Sequence, residues 1–185
     1  MPSWAELSIS NAQTPADTIM AASIITEIKA AGVEYVITLP DIVTSKSLLT
    51  PIATDRDFRH IKVCKEDEGV GICAGLSFCD KRALLLIQHT GLLDSINAIK
   101  TVAVEYSLPI CIMVGLLGKE IDRTPKNSEN CGVRIVEPIL DAMGVKHHLL
   151  ETESDAPLIG LAIHEAYRSS MPMTMLLGRP PRISP

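Results

Sequence analysis

Three consecutive carboxylates, Glu66, Asp67 and Glu68, stand between a short apolar stretch at residues 60–64 and a run containing Gly69, Gly71, Ala74 and Gly75. Carboxylates set where a strand turns into a helix either face a ligand or complement the positive end of the helix dipole. The small residues that follow are the second sign. A helix gives up roughly 1 kcal/mol at each Gly relative to Ala, so something must need this backbone close. Other groups able to do chemistry also stand just past apolar runs. Asp41 follows Leu39-Pro40, His89-Thr90-Gly91 follows residues 83–88, and Gly115 follows residues 110–114.

The elements that must position these groups alternate. Thr14-Pro15-Ala16-Asp17 reads as an N-cap with proline at the first helical position, predicting a helix that ends near Ala31-Gly32. Strands are expected at residues 33–39, 60–64, 83–88, 110–114, 146–150 and 173–177, the third an apolar run of the kind buried on both faces. Helices are expected at residues 43–54, 67–78, 92–106, 133–143 and 155–170, with His89-Thr90-Gly91 as a polar turn. A long loop at residues 115–132 suggests function or contact with a partner. Alternating β and α units of this length fold as an α/β, doubly wound, mainly parallel six-stranded sheet with helices on both faces. A single domain over residues 1–185, with its core at about 14–180, is the economical reading. Ligands of such sheets bind beyond the carboxyl ends of the strands, so Asp41, Glu66, Thr90, Gly91 and Gly115 are expected near one another on one edge.

Composition sets the limits. The chain is 46% hydrophobic and only 3% aromatic, so its core is built from Ile, Leu, Val, Ala and Met. A net charge of −5 with no dense Lys/Arg cluster argues against nucleic acid or a polybasic membrane contact. Small anions stay open, because a helix terminus binds them without net basicity. No run reaches the roughly 18 apolar residues of a membrane helix, and residues 1–14 lack a signal-peptide pattern. Five cysteines, an odd number and mostly within apolar patterns, read as small buried hydrophobes of a reducing cytoplasm. His147 and His148 have no acidic or thiol partner at ligand spacing, so no metal site is expected within this chain.

Gly69-Val70-Gly71-Ile72-Cys73-Ala74 matches the G-x-G-x-x-G/A dinucleotide pattern, but its context fits poorly. There the first glycine turns straight out of a strand, whereas here the charged run 65–68 intervenes. The same residues read Glu66-Asp67-Glu68-Gly69-Val70-Gly71-Ile72-Cys73-Ala74-Gly75 and resemble the pyrimidine-binding domain of thiamine diphosphate enzymes, in which a Glu at a strand end is followed by a helix of small residues. Register selects Glu66, nine positions before Gly75. The likeness is to the sulfopyruvate decarboxylase α subunits and phosphonopyruvate decarboxylases in particular. It continues through Gln88-His89-Thr90-Gly91-Leu92, Ile96-Asn97-Ala98, Pro109, Val114-Gly115 and Glu137-Pro138-Ile139-Leu140-Asp141, essentially the whole chain from Thr14 to Pro180.

That resemblance implies a catalytic Glu66, hydrogen-bonded to the pyrimidine of thiamine diphosphate and favouring the imino tautomer that takes the thiazolium proton. It implies that Thr90, Gly91 and Asn97 position the cofactor. By the same resemblance the diphosphate and Mg2+ sit on a second domain with a Gly-Asp-Gly signature. None occurs in this sequence, so a β subunit carrying it is the expected partner, in a hetero-oligomer with self-association of paired chains. The implied reaction is decarboxylation of a small 2-oxo acid, with sulfopyruvate first and phosphonopyruvate or another oxo acid as alternatives. Asp41 matches a Pro-Asp turn of the phosphonopyruvate enzymes and either faces substrate or caps the next helix. His89, unusual for the family, is a second candidate substrate contact.

Two departures qualify the likeness. The decarboxylases usually carry Ser-Gly-Leu-Gly-Asn where this chain has Thr90-Gly91-Leu92-Leu93-Asp94. They also tend to carry Trp-Arg-Gly where this chain has Leu116-Leu117-Gly118, leaving Lys119 and Arg123 as substitute cations if the loop folds inward. A non-catalytic scaffold or regulatory subunit of the same fold is the rival reading, which retention of Glu66 weighs against.

Overall fold

The computed structural model describes residues 15–41 and 43–183. Six strands, β1 (Tyr35–Thr38), β2 (Arg59–Lys62), β3 (Ala83–Gln88), β4 (Cys111–Gly115), β5 (Lys146–Leu150) and β6 (Met173–Leu177), form one sheet in the order β2-β1-β3-β4-β6-β5. Every neighbouring pair is parallel. The central strands β3, β4 and β6 are buried along almost their whole length, as continuous apolar runs covered on both faces must be.

Side-chain alternation sorts the core into two layers. Leu84, Leu86, Cys111, Met113, Met173 and Met175 pack on one face, under α1 (Ala21–Ala30), α2 (Thr50–Thr54) and α7 (Ala156–Ser169). Leu85, Ile87, Ile112 and Val114 pack on the other, under α3 (Glu66–Ser77), α4 (His89–Asp94) and α6 (Cys131–Ala142). A short α5 (Ile96–Ala98) follows α4 and widens into a π-helical turn at Ile99–Val104, and a second π-helical turn at Ser45–Leu49 leads into α2. The chain leaves β1 toward β2 but leaves β3 toward β4, so the direction of winding reverses between two adjacent strands. A crevice at the carboxyl ends of such a pair is the ordinary ligand position of this architecture.

Several expected boundaries move, for tertiary reasons. The first helix starts at Ala21 rather than at Pro15. Residues 15–18 make a turn closed by the Thr18 N–H on the Pro15 carbonyl at 3.0 Å, and the N–H groups of Ile19 and Ala21 go to the carbonyls of Glu151 and Arg182. The Glu153 carboxylate then accepts from the Met20 N–H at 2.7 Å and supplies the cap; Thr14 lies outside the described residues. The expected polar turn after β3 is already helical from His89. The cysteines also correct the reading: all five are free, Cys73 and Cys111 are buried, but Cys64, Cys79 and Cys131 are exposed because they sit at element ends. Among the described residues no helix is long and apolar enough to cross a membrane.

Candidate active site

The first turn of α3 separates three carboxylates that look alike in sequence. Glu68 accepts from the N–H groups of Cys64 and Lys65 at 3.0 and 3.2 Å, and Asp67 accepts from the Glu68 N–H at 2.9 Å. Both are occupied with the backbone of their own helix start, satisfying donors a helix leaves open. Glu66 is half-buried and, among the described residues, has no hydrogen-bond or ion-pair partner. Its side chain lies flat on Gly91 of α4. A Cβ at Gly91 would fall 2.1 Å from Glu66 Oε1 and 2.3 Å from both Cδ and Cγ. The sheet order makes this meeting possible: β2 lies outside β1, yet α3 crosses over β1 to reach β3 and brings its N-terminus beside the start of α4.

The glycines of α3 divide by role. A Cβ on Gly69 would stand 2.5 Å from Leu85 Cδ1, so this residue lets the helix settle on the sheet. Gly71 and Gly75 would meet nothing within 4 Å. The dinucleotide-like spacing is therefore an accident of two helix faces, wholly inside α3 and not in a strand-to-helix turn.

Beside Glu66, Lys65 lies 3.6 Å from Asp67 and 3.7 Å from Asp94, and these carboxylates raise its pKa. Asp94, one of the departures from the resembled pattern, thus ties the end of α4 to the start of α3 through Lys65. Thr90 is exposed and its hydroxyl donates to Gln88 Oε1 at 2.8 Å. Asn97 is exposed on α5.

Asp41 and His89 belong to the interior of the crevice. Asp41 is buried, and Oδ1 accepts from the N–H groups of Val43 and Thr44 at 2.6 and 3.0 Å while Oδ2 accepts from the Thr44 hydroxyl. This is the capping arrangement of an Asp that starts a turn. His89 is only 3% exposed and its Nδ1 has no hydrogen-bond partner among the described residues. A Cβ on Gly132 would come within 2.8 Å of its Nε2. Burial pushes the imidazole pKa down, against the opposing pull of the Gly115 backbone and the Asp41 carboxylate. So the structure brings together Glu66 with Gly91, and His89 with Asp41 and Gly115, while Thr90 and Asn97 stand on the exposed lip.

The loop after β4 folds inward, but not toward Glu66. Leu116-Leu117-Gly118-Lys119 is a tight turn, closed by the Lys119 N–H on the Leu116 carbonyl at 3.2 Å with Gly118 at φ +80°. The Lys119 side chain is fully buried, 2.5 Å from Glu151 Oε1 and donating to the Glu120 carbonyl at 2.9 Å. Arg123 pairs with Glu129 at 2.8 Å. Both substitute cations are thus committed to carboxylates. Sequence reasoning missed the Lys119–Glu151 pair and the support of Glu66 by Gly91. Each joins residues more than twenty positions apart, and the only sequence signal was a glycine at a helix start where Ala would serve the helix better. Among the described residues no group of three or more His, Cys, Asp or Glu could hold a metal ion.

No family model matches the chain. The sulfopyruvate decarboxylase subunit alpha of Methanococcus maripaludis is 36% identical over 88 residues, 48% of this chain and 52% of that protein. That of Methanocaldococcus jannaschii is 27% identical over 150 residues, 80% of this chain and 87% of that one. The sulfopyruvate decarboxylase of Methanosarcina acetivorans is 30% identical over 154 residues, 80% of this chain but 37% of that protein. The chain thus matches about half of the first relative and little more than a third of the longest. A 2-oxoglutarate:ferredoxin oxidoreductase from Magnetococcus marinus, solved with 2-oxoglutarate, coenzyme A and succinyl-CoA bound, matches 89% of this chain and 30% of its own with a TM-score of 0.68. At 15% identity that likeness speaks for the α/β doubly wound fold alone. Two of these alignments run over 80% of this chain, so the chain is similar along most of its length to the Methanocaldococcus jannaschii sulfopyruvate decarboxylase subunit alpha and to the Methanosarcina acetivorans sulfopyruvate decarboxylase.

Proposed function

We propose that the chain is the α, pyrimidine-binding subunit of a two-subunit thiamine diphosphate-dependent decarboxylase that converts sulfopyruvate to sulfoacetaldehyde and carbon dioxide. The observation that carries this reading is Glu66. Of three adjacent carboxylates it alone has no hydrogen-bond or ion-pair partner among the described residues, and it lies at the carboxyl edge of the sheet against a residue with no side chain.

The residues present fit the cofactor's pyrimidine. A half-buried carboxylate without a partner among the described residues and the Thr90 hydroxyl oxygen on the exposed side offer hydrogen-bonding atoms, and Gly91 puts no side chain between them. Thiamine diphosphate, when bound, would supply the electron sink that lets the bond to the departing carboxylate break. Glu66 would hold a proton between its carboxylate and a ring nitrogen, Thr90 and Asn97 would orient the ring's polar edge, and the apolar wall behind Glu66 would exclude water. The oxo acid loses its carboxylate as carbon dioxide, and a proton takes the vacated position on carbon. Asp41 and His89 would shape the substrate side from behind, as a capped carboxylate and a buried imidazole.

A partner subunit with a Gly-Asp-Gly segment would hold Mg2+ and the diphosphate, in an α/β hetero-oligomer built on paired chains in the cytoplasm. Two relatives carrying the name subunit alpha support a divided enzyme, and so does the longer Methanosarcina acetivorans protein, of which the match occupies only 37%. The test is carbon dioxide release from sulfopyruvate, phosphonopyruvate and pyruvate by the chain mixed with that partner, thiamine diphosphate and Mg2+. Release is expected from sulfopyruvate, none from the chain alone, and none from Glu66→Ala. Turnover that survives Glu66→Ala would overturn the reading, and a preference for phosphonopyruvate would replace its substrate.

A further inference from the structure

We propose that Gly91 is a positioning residue for Glu66, its missing Cβ being what allows the carboxylate to lie over the first turn of α4; the inference rests on the role of Glu66 proposed above. Nothing in the backbone calls for glycine there. Gly91 is the third residue of α4 and is not among the positive-φ glycines, which are Gly32, Gly118 and Gly144. Helix propensity favours Ala at such a site. What excludes a side chain is local and specific: the three nearest atoms to an added Cβ are Oε1, Cδ and Cγ of Glu66, all within 2.3 Å.

The obstruction is therefore one flexible side chain rather than sheet or helix backbone. A methyl group at residue 91 meets Glu66 at Cγ as well as at the carboxylate, so adjusting the last torsion does not relieve the overlap. The whole carboxyl group must leave for another rotamer. No hydrogen bond or ion pair resists that departure, because among the described residues Glu66 has neither. Gly91 is thus the wall that Glu66 rests on, and it acts on the reaction through Glu66 without needing to touch the cofactor.

The substitution Gly91→Ala separates this from a structural role. The variant is expected to fold with a melting temperature at or above that of the wild type, because its collision is confined to a movable side chain and its helix is improved. Assembled with the Gly-Asp-Gly partner, thiamine diphosphate and Mg2+, it should lose about a hundredfold or more in kcat, the scale of an ångström misplacement of a reacting group, with KM for the oxo acid within about threefold. A second readout needs neither cofactor nor partner. In the chain labelled with carboxyl-13C glutamate, the resonance that disappears in Glu66→Ala should move in Gly91→Ala and stay in place in Gly75→Ala, where an added Cβ meets nothing within 4 Å. An unmoved resonance, a Gly91→Ala chain that fails to fold, or a kcat within threefold of wild type while Glu66→Ala is inactive would each overturn the proposal. Activity retained in Glu66→Ala overturns the functional reading instead, and the resonance then decides the positioning by itself.

Discussion

Replacing Glu151 by Gln should destabilise the chain more than almost any other single surface-loop change. The Lys119 side chain is 0% exposed, its ammonium is ion-paired 2.5 Å from Glu151 Oε1, and it donates to the Glu120 carbonyl. Removing one partner of a buried pair leaves an uncompensated charge, at a cost of about 3–5 kcal/mol. Gln keeps an oxygen in place, so the lower end, about 3 kcal/mol, is expected. At roughly 2–4 °C per kcal/mol for a domain of this size, the melting temperature should fall by about 6–12 °C. The reciprocal change is milder. In Lys119→Met the stem's volume is kept, and Glu151, 21% exposed, still has the Arg179 guanidinium at 3.9 Å. Removing both charges, as in Lys119→Met with Glu151→Leu, should recover most of what Glu151→Gln loses, since an apolar pair of similar volume does not need charge compensation.

Urea unfolding of the four chains, with unchanged slopes as the sign of a common two-state transition, measures these differences directly. A loss below about 1 kcal/mol in Glu151→Gln would refute the reasoning, since a buried ammonium cannot lose its carboxylate so lightly. The same set separates two roles for Lys119 under the proposed activity. A cation that met the substrate's sulfonate would raise KM when replaced and leave stability alone, whereas the pairing with Glu151 predicts the reverse.

Two further outcomes follow from local geometry. Ser170 ends α7 in the left-handed region at φ 54°, ψ 42°, a conformation that costs a side chain and suits glycine, so Ser170→Gly should stabilise by about 0.5–1 kcal/mol in the same unfolding assay; a loss of stability would contradict it. Burial lowers the pKa of His89, and burial with nearby Lys62 lowers that of His60. Above the unfolded value of about 6.5 both states are neutral, and as pH falls below it the unfolded chain takes up protons first, so stability drops. Melting temperatures at pH 7.5, 6.5 and 5.5 should decline, and His89→Asn should flatten part of that decline; an unchanged slope would remove His89 from the account.

What could be read in the sequence followed from how local its cause was. The expected bounds 83–88, 146–150 and 173–177 coincide with β3, β5 and β6 because each strand has sharp chemical ends. The start of α1 was misplaced because Thr14-Pro15 is a sound helix start by every local rule. The backbone there is instead claimed by the carbonyls of Glu151 and Arg182 and the carboxylate of Glu153, from segments more than 130 residues away. The two π-helical turns, at Ser45–Leu49 and Ile99–Val104, carried no pattern that distinguishes them from ordinary helix. The exposed cysteines failed for the converse reason: an apolar neighbourhood in sequence does not say which residue of a helix or strand end turns outward.

The candidate site shows the same division in finer detail. Spacing could put Glu66, Asp41 and His89-Thr90-Gly91 on one edge, and only the resemblance to thiamine diphosphate enzymes singled out Glu66, by register with their pattern. It could not show that Glu68 and Asp67 are spent on their own helix start while Glu66 is spared, which needs hydrogen-bond geometry. Nor could it pair Glu66 with Gly91, since that contact exists only because β1 lies between β2 and β3 and α3 must cross it.

Charge placement carries the proposed reading one step further. A sulfonated oxo acid needs a cation, and the loops beyond β2, β4 and β6 hold six: Lys65, Lys119, Arg123, Lys126, Arg179 and Arg182. Lys65 stands between Asp67 and Asp94, Lys119 against Glu151, Arg123 against Glu129, Lys126 against Asp141 and Arg179 between Asp17 and Glu151, while the Arg182 guanidinium donates to the Ala16 carbonyl. Of the six, only Lys65 adjoins Glu66, and its two contacts, at 3.6 and 3.7 Å on an exposed side chain, are the kind of surface pair worth about 0–1 kcal/mol. Drawing Lys65 onto a substrate anion would therefore cost little, while drawing Lys119 out would break a buried pair. Under the proposed function, then, the counter-charge to the sulfonate comes from Lys65 or from the partner subunit, and the position occupied by Arg in the related decarboxylases is not replaced by its sequence neighbours.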